Sequence, residues 1–223
     1  MPDSPRTISD SAVRRLSIYL RHLEELEQEG RSTISSADLA RRSGSTSAQI
    51  RKDLSVFGSF GKRGLGYSVP DLVGELRRIL GLTRPWSVAL AGAGRIGAAL
   101  FEYPAFRERG FRISAVLDSD PEKVGRVWNG LVIEDVARLE EVCRGVEAEI
   151  GILAVPAREA EAVAARFAEA GVRGLLNFAP VSLRLPPGVV VNDVNMAVEL
   201  EALSFALAGG EGAQRSHGDG REP

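Results

Sequence analysis

The chain has 223 residues, 44% of them hydrophobic, one cysteine and a formal net charge of −2, the profile of a globular protein of one large or two modest domains. A lone Cys143 excludes an intrachain disulfide framework and a cysteine-based metal site, and it fits a reducing cytoplasm. No apolar run approaches the roughly 20 residues of a membrane-spanning helix, and residues 1–11 lack the basic-then-apolar pattern of a signal peptide.

In chain order, Val13, Leu16, Tyr19, Leu20, Leu23 and Leu26 fall at helical spacing between a cap at Ser9 and a stop at Gly30. The stretch SSADLARRSG predicts a second helix, capped by Ser35 or Ser36 and ended by Gly44. A third begins at Thr46, whose spacing to Gln49 is that of a capping box, with Ile50, Leu54 and Phe57 facing inward. Glycines at 58, 61, 64 and 66 then separate short extended pieces, a hairpin pattern with a basic tip at Lys62 and Arg63. PDLVGELRRILG restores helix, with Pro70 near its start and Gly81 at its end. Three short helices and a basic hairpin predict a winged helix-turn-helix over residues 1–84.

From Trp86 strands alternate with helices. Strands are expected at 88–91, 111–118, 131–133, 149–156, 173–180 and 188–193, with helices at 95–101, 136–144 and 158–171. That alternation predicts an α/β unit, a doubly wound parallel sheet of the Rossmann type, over 85–194. Residues 195–208 read as a last helix, apolar on more than one face, and 209–223 as a polar, glycine-rich disordered tail.

The stretch VALAGAGRIGAAL carries the strongest chemical signal. An apolar strand runs into Gly92-Ala93-Gly94-Arg95-Ile96-Gly97, and a helix follows. In a dinucleotide cradle the first glycine permits a tight turn, the second lets backbone approach a pyrophosphate, and the third lets helix pack on strand. Asp118, at the end of the second strand, is placed to accept the ribose hydroxyls of adenosine and to repel a 2′-phosphate, which favours NAD(H) over NADP(H). A glycine turn beside an unrelated surface Asp is the plainer alternative. A hydride-transferring enzyme also needs an acid or base. Yet His22 lies on the first helix, His217 in the tail, Lys123 in what reads as a surface loop, and Tyr103 has no lysine four residues on. No metal-ligand cluster is visible. The cofactor is therefore expected to be sensed and not used.

Residues 41–67 set six basic side chains, Arg41, Arg42, Arg51, Lys52, Lys62 and Arg63, against Asp53 alone. Such a surplus suits an anionic partner, although a merely solvated face carries similar charge. Ser47, Gln49, Arg51 and Lys52 cluster in the first two turns of the third helix, the part that enters a major groove. Lys62 and Arg63 suit a narrow minor groove. A protein-interaction module of the same shape is the alternative.

QIRKDLSVFGSFGKRGLGY (49–67), GAGRIGAAL, DSDPEKVG (118–125), AVPA (154–157), NFAP (177–180) and ELEALSFAL (199–207) resemble the Rex family of bacterial redox-sensing transcriptional repressors, over nearly all of the chain from Ser9 to Ala208. The resemblance implies a homodimer on an inverted-repeat operator, released when NADH binds, with its C-terminal helix swapped between the partner's two domains. It adds Gly64 at the wing to the DNA-binding set, and Val155, Pro156, Asn177, Phe178 and Tyr103 to the cofactor-binding set. It also implies a switch contact between Arg21 and the residue at 195, where similar proteins usually carry Asp and this chain has Asn195, with Asp193 as a possible substitute. An NAD-dependent oxidoreductase with an appended helical domain, and a Rossmann module for CoA, are the competing readings.

Overall fold

The computed structural model describes residues 9–58, 60–62 and 66–214, and the chain divides into two compact units, Met1–Arg84 and Pro85–Pro223. In the first unit α1 (Asp10–Gln28) starts where the Ser9 hydroxyl accepts the Ala12 N–H. Its buried stripe of Leu16, Tyr19, Leu20, Leu23 and Leu26 follows the helical period. β1 (Thr33–Ile34), α2 (Ser36–Ser43) and α3 (Ser47–Ser55) come next, α2 and α3 being capped by the side chains of Ser35 and Thr46. β2 (Gly61–Lys62) and β3 (Gly66–Ser68) pair antiparallel, and β1 joins the far edge of β3 to complete a three-stranded sheet. α4 (Val69–Ile79) closes the unit by adding Val69, Leu72, Val73 and Leu76 to the core under α1. This is the element order of a winged helix-turn-helix.

The second unit is a seven-stranded sheet. Its elements are β4 (Trp86–Ala91), α5 (Arg95–Phe101), α6 (Pro104–Glu108), β5 (Phe111–Asp118), β6 (Val127–Trp128), β7 (Leu131–Asp135), α7 (Leu139–Gly145), β8 (Ile150–Leu153), α8 (Ala157–Glu169), β9 (Gly174–Asn177), β10 (Val190–Asp193) and α9 (Met196–Gln214). The strand order is β10-β9-β8-β4-β5-β7-β6, parallel except where β6 meets β7. Without β6 this is the Rossmann order, in which the chain winds from β4 to one edge and returns to the other side of β4. Alternation along β4 serves both faces. Val88 and Leu90 pack with Leu100, Phe101 and Phe106, while Ala89 and Ala91 pack with Leu139, Cys143 and Phe167. Cys143 is buried, and burial pushes its thiol up to about 11.

Four local expectations need correction. The strand at 149–156 stops at Leu153, because Ala154 to Pro156 turn away to start α8. The helix at 136–144 opens as a single 3-10 turn, Val136–Arg138. α6 and β6 were not foreseen, and β6 pairs back on β7 through Asn129-Gly130, both at positive φ (46° and 86°), a two-residue hairpin turn of the type that Asn-Gly favours. α9 continues to Gln214 where a disordered tail was expected from 209. Glycine weakens a helix by about 1 kcal/mol without forbidding it, and no proline interrupts this stretch. Residues 215–223 lie outside the described residues.

Arg166 on α8 ties this layer together. It holds both Glu140 carboxylate oxygens at 2.5 Å and donates to the carbonyls of Val136 and Ala137. The guanidinium pulls the Glu140 carboxyl from 4.5 to about 2. A carboxyl depressed on folding adds stability that is complete above its ordinary value and is lost as pH falls through the folded one. Glu140→Gln should therefore lower the thermal midpoint at pH 7, by the equivalent of about 1 kcal/mol for a partly exposed pair. The deficit should shrink towards pH 2, as read by circular dichroism melts across that range.

Candidate functional site

At the C-terminal end of β4 the chain leaves the sheet through Gly92, at φ 102°. A side chain there would strike the Ala154 carbonyl just past β8, and one at Gly97 would strike the carbonyl of Gly92 itself. Two of the three glycines are thus packing requirements. A Cβ at Gly94 meets nothing within 4 Å. The backbone at that point faces open space, bounded by the start of α5, whose first N–H groups have no partner within the helix.

That space is a cleft of about 690 Å³ at the switch point between β4 and β8, where open α/β sheets bind their ligands. It gathers Gly92, Gly94, Arg95, Ile96, Asp118, Val155 and Pro156 from the expected set. Ala93 contributes through its backbone, donating its N–H to Asp118 Oδ2 at 2.7 Å. Asp118 Oδ1 accepts the Asp120 N–H at 2.9 Å, and Lys123 Nζ approaches Oδ2 at 3.2 Å. Burial opposes ionisation of Asp118, but these two backbone donors and Lys123 outweigh it and hold the carboxyl below its usual range. Lys123, expected in a surface loop, and Arg158, not anticipated, both line the cleft. The five-residue spacing from Asp118 to Lys123 across a turn was the available signal for the lysine.

Three expected cofactor residues lie elsewhere in the unit. Asn177 is fully buried, its amide nitrogen donating to Val181 O and Asp193 Oδ1 and its oxygen accepting the Ala179 N–H. Its hydrogen bonds are spent on shaping the loop after β9. Phe178 packs into the core with Val88 and Leu90. Tyr103 follows the C-terminal end of α5, away from the glycine turn, with its ring edge-on to Phe106 at 5.3 Å. It borders a separate depression of about 590 Å³.

On α3, Lys52 and Arg51 are exposed, and Arg51 donates to Ser36 Oγ at 3.0 Å. Ser47 and Gln49 are half-buried. Thr46 accepts the Gln49 N–H, but the Gln49 side chain does not return to the cap; its Nε2 donates to Asp53 Oδ1 at 2.7 Å. Arg15 grips both oxygens of Asp53 at 2.7 and 2.8 Å, and the Tyr19 hydroxyl donates to Oδ2 at 3.0 Å. This buried carboxylate joins α3 to α1. Lys62 lies in β2, while Arg63 and Gly64 fall outside the described residues.

Of the expected switch residues, Arg21 is exposed on α1, 3.7 Å from Glu25. The Asn195 side-chain oxygen accepts the Ala197 N–H at the start of α9, so asparagine supplies the cap that aspartate would give. Asp193, its possible substitute, is engaged by Asn177. Met196, Leu200, Leu203, Phe205 and Leu207 on α9 are all more than half exposed. Among the described residues no group of three or more His, Cys, Asp or Glu is placed to hold a metal ion, and no helix is long and apolar enough to cross a membrane.

A winged helix-turn-helix and a Rossmann sheet with a glycine cradle, on one chain, define a class of DNA-binding regulator that carries a nucleotide-binding fold. Comparison with known proteins narrows this. Residues 7–55 match the family described as "Putative DNA-binding protein N-terminus", and residues 83–181 match the CoA binding domain family. The chain is 48% identical over 198 residues to the redox-sensing transcriptional repressor Rex of Desulfitobacterium hafniense, covering 89% of this chain and 94% of that one. It is also 48% identical to Rex of Carboxydothermus hydrogenoformans, over 90% and 96% of the two chains. The Rex-family repressor RSP, solved in complex with β-NAD+ and operator DNA, superposes with a TM-score of 0.88 at 33% identity, over 96% of this chain and 99% of that one. The chain belongs to the Rex family of redox-sensing transcriptional repressors.

Because Asp118 holds the glycine turn through Ala93, Asp118→Ala should loosen the turn in the absence of any ligand. Amide exchange at Ala93 and Asp120 should lose about 1–3 kcal/mol of protection, read by hydrogen–deuterium exchange, with β8 and β9 unchanged.

Proposed function

We propose that the chain holds operator DNA with its winged helix and releases it when NADH fills the cleft at the end of β4. The observation that carries this reading is the open backbone at Gly94, between two glycines fixed by packing and beside Asp118, whose carboxylate accepts two backbone N–H groups. A pyrophosphate fits against backbone N–H groups there, and the adenosine ribose falls towards Asp118. Gly92, Ala93, Gly94, Arg95, Ile96, Gly97, Asp118, Val155 and Pro156 are the proposed cofactor residues. Lys123 shares Asp118 with that ribose. The apolar Val155 and Pro156 favour the neutral reduced nicotinamide over the positively charged oxidised ring. RSP, whose complexes include one with β-NADH and one with β-NAD+ and operator DNA, supports both ligands.

The proposed assembly is a cytoplasmic homodimer on an inverted repeat, gripping two half-sites roughly 34–36 Å apart or at a multiple of that spacing. The exposed apolar faces of α9 support its burial against a second copy, as a swapped helix. Ser47, Gln49, Arg51, Lys52, Lys62, Arg63 and Gly64 are the proposed DNA-binding residues, and Arg21 and Asn195 the proposed switch residues.

Operator affinity measured at fixed salt, with and without saturating NADH, tests the reading. Coupling of about 1–3 kcal/mol would weaken binding roughly 5- to 150-fold, with NAD+ opposing the effect by competition and CoA having none. Gly94→Val should keep the helical circular dichroism and the DNA affinity of the wild type but lose saturable NADH binding and all release. Equal affinities with and without NADH for the wild type would reduce the cleft to a structural role, and release by CoA alone would reassign its ligand. Asn195→Asp should change the size of the NADH effect by several-fold while moving the melting temperature little, since either side chain caps α9.

A further inference from the structure

We propose that Asp53 fixes the face that Gln49 presents to DNA, so that the recognition helix reads an exocyclic amino group at one base pair of each half-site. The inference rests on the DNA-binding reading above and names what one residue of it recognises. A glutamine amide is normally free to turn over, exchanging its oxygen and nitrogen, and so can present either an acceptor or a donor at a given place. Gln49 lacks that freedom. Its Nε2 lies 2.7 Å from Oδ1 of Asp53, and Asp53 is only 5% exposed and bound to Arg15 and Tyr19.

An ionised carboxylate only accepts hydrogen bonds. Turning the amide over would set two oxygens against each other at that distance, in a partly desolvated site. Nitrogen therefore faces inward and Oε1 outward. Oε1 has no hydrogen-bond partner among the described residues, and no buried side-chain nitrogen or oxygen there goes unpaired, so Oε1 is not sealed from solvent. Gln49 is the third residue of α3, in the first turn, the end of a recognition helix that meets base edges.

An outward carbonyl accepts from an amino group. In the major groove that group is N6 of adenine or N4 of cytosine, and where it is adenine the second Nε2 hydrogen is still available to N7. Asp53 touches no base in this scheme. It is a positioning residue acting through Gln49, and the basic surplus of residues 41–67 therefore encloses one buried acid with a role in specificity.

The test uses the full chain. A library of randomised duplexes, selected by wild type and by Gln49→Ala, identifies the base pair whose preference Gln49 supplies. One atomic change is then made at that pair: deletion of its exocyclic major-groove amino group. For the wild type, amino deletion should weaken binding about 5- to 150-fold more than it does for Gln49→Ala, the range of a good base contact. In Asp53→Asn the residue at 53 can both donate and accept, so Gln49 can turn over. The penalty for amino deletion should then fall several-fold, with binding to random duplex retained.

Equal selection by wild type and Gln49→Ala, equal amino-deletion penalties for the two, or an unchanged penalty in Asp53→Asn would each overturn the proposal. If Asp53→Asn does not fold, the amino-deletion penalty of the wild type against that of Gln49→Ala still decides. Failure of the wild type to bind any duplex would instead overturn the DNA-binding reading itself.

Discussion

The second unit turns on one close approach. Gly92 carries the chain off β4 against the carbonyl of Ala154, and Gly97 lies against the carbonyl of Gly92. A single Cβ at either position would separate β4, β8 and α5 where the three converge. Because both positions lack one, the turn after β4 lies close against the end of β8 with the start of α5 seated directly on it, and Gly94 is left facing the opening. The cleft is thus a consequence of backbone packing. Its walls come from the loops that follow β5 and β8, which is why Asp118, Val155 and Pro156 arrive together although they are far apart in the chain.

Each unit also rests on a buried carboxylate whose partners come from more than one element. Asp118 takes the N–H groups of Ala93 and Asp120 and the ammonium of Lys123. Asp53 takes the guanidinium of Arg15, the hydroxyl of Tyr19 and the amide of Gln49. An ion pair of this kind adds little net stability against an apolar substitute, but removing one partner leaves a charge stranded, at a cost of about 3–5 kcal/mol. Such pairs therefore specify geometry more than they stabilise it. Asp118 fixes the turn at the mouth of the cleft, and Asp53 fixes the Gln49 amide on α3. In each case a polar group is positioned by an acid behind it.

Much of the fold was legible because its signals are local. The caps at Ser9, Ser35 and Thr46 and the stops at Gly30 and Gly44 follow from helix ends that must satisfy their own backbone. β5 could be placed at 111–118 because the apolar run ends in an acid. Asn129-Gly130 shows that a readable signal can still be passed over: the dipeptide has the preferred two-residue hairpin chemistry, yet β6 is so short that its apolar pattern does not register.

What the sequence alone determined was periodicity, backbone freedom and residue chemistry: two units of different grammar, a glycine cradle, an acid beyond it and a basic recognition helix. Tertiary structure decided which polar atoms were already committed. Asn177 looks like a ligand contact in the string NFAP, but it closes its own loop through Val181 and Asp193. Lys123 looks like a solvated charge, but it reaches Asp118. Gln49 has capping-box spacing, but its amide goes to Asp53. Tyr103 lies beyond the end of α5 opposite the glycine turn, where it lines a separate depression. Spacing along a chain reports which residues share a face of their own element; it does not report which rotamer meets a neighbouring element within 3 Å. That distance decides whether a polar side chain is free to bind anything else.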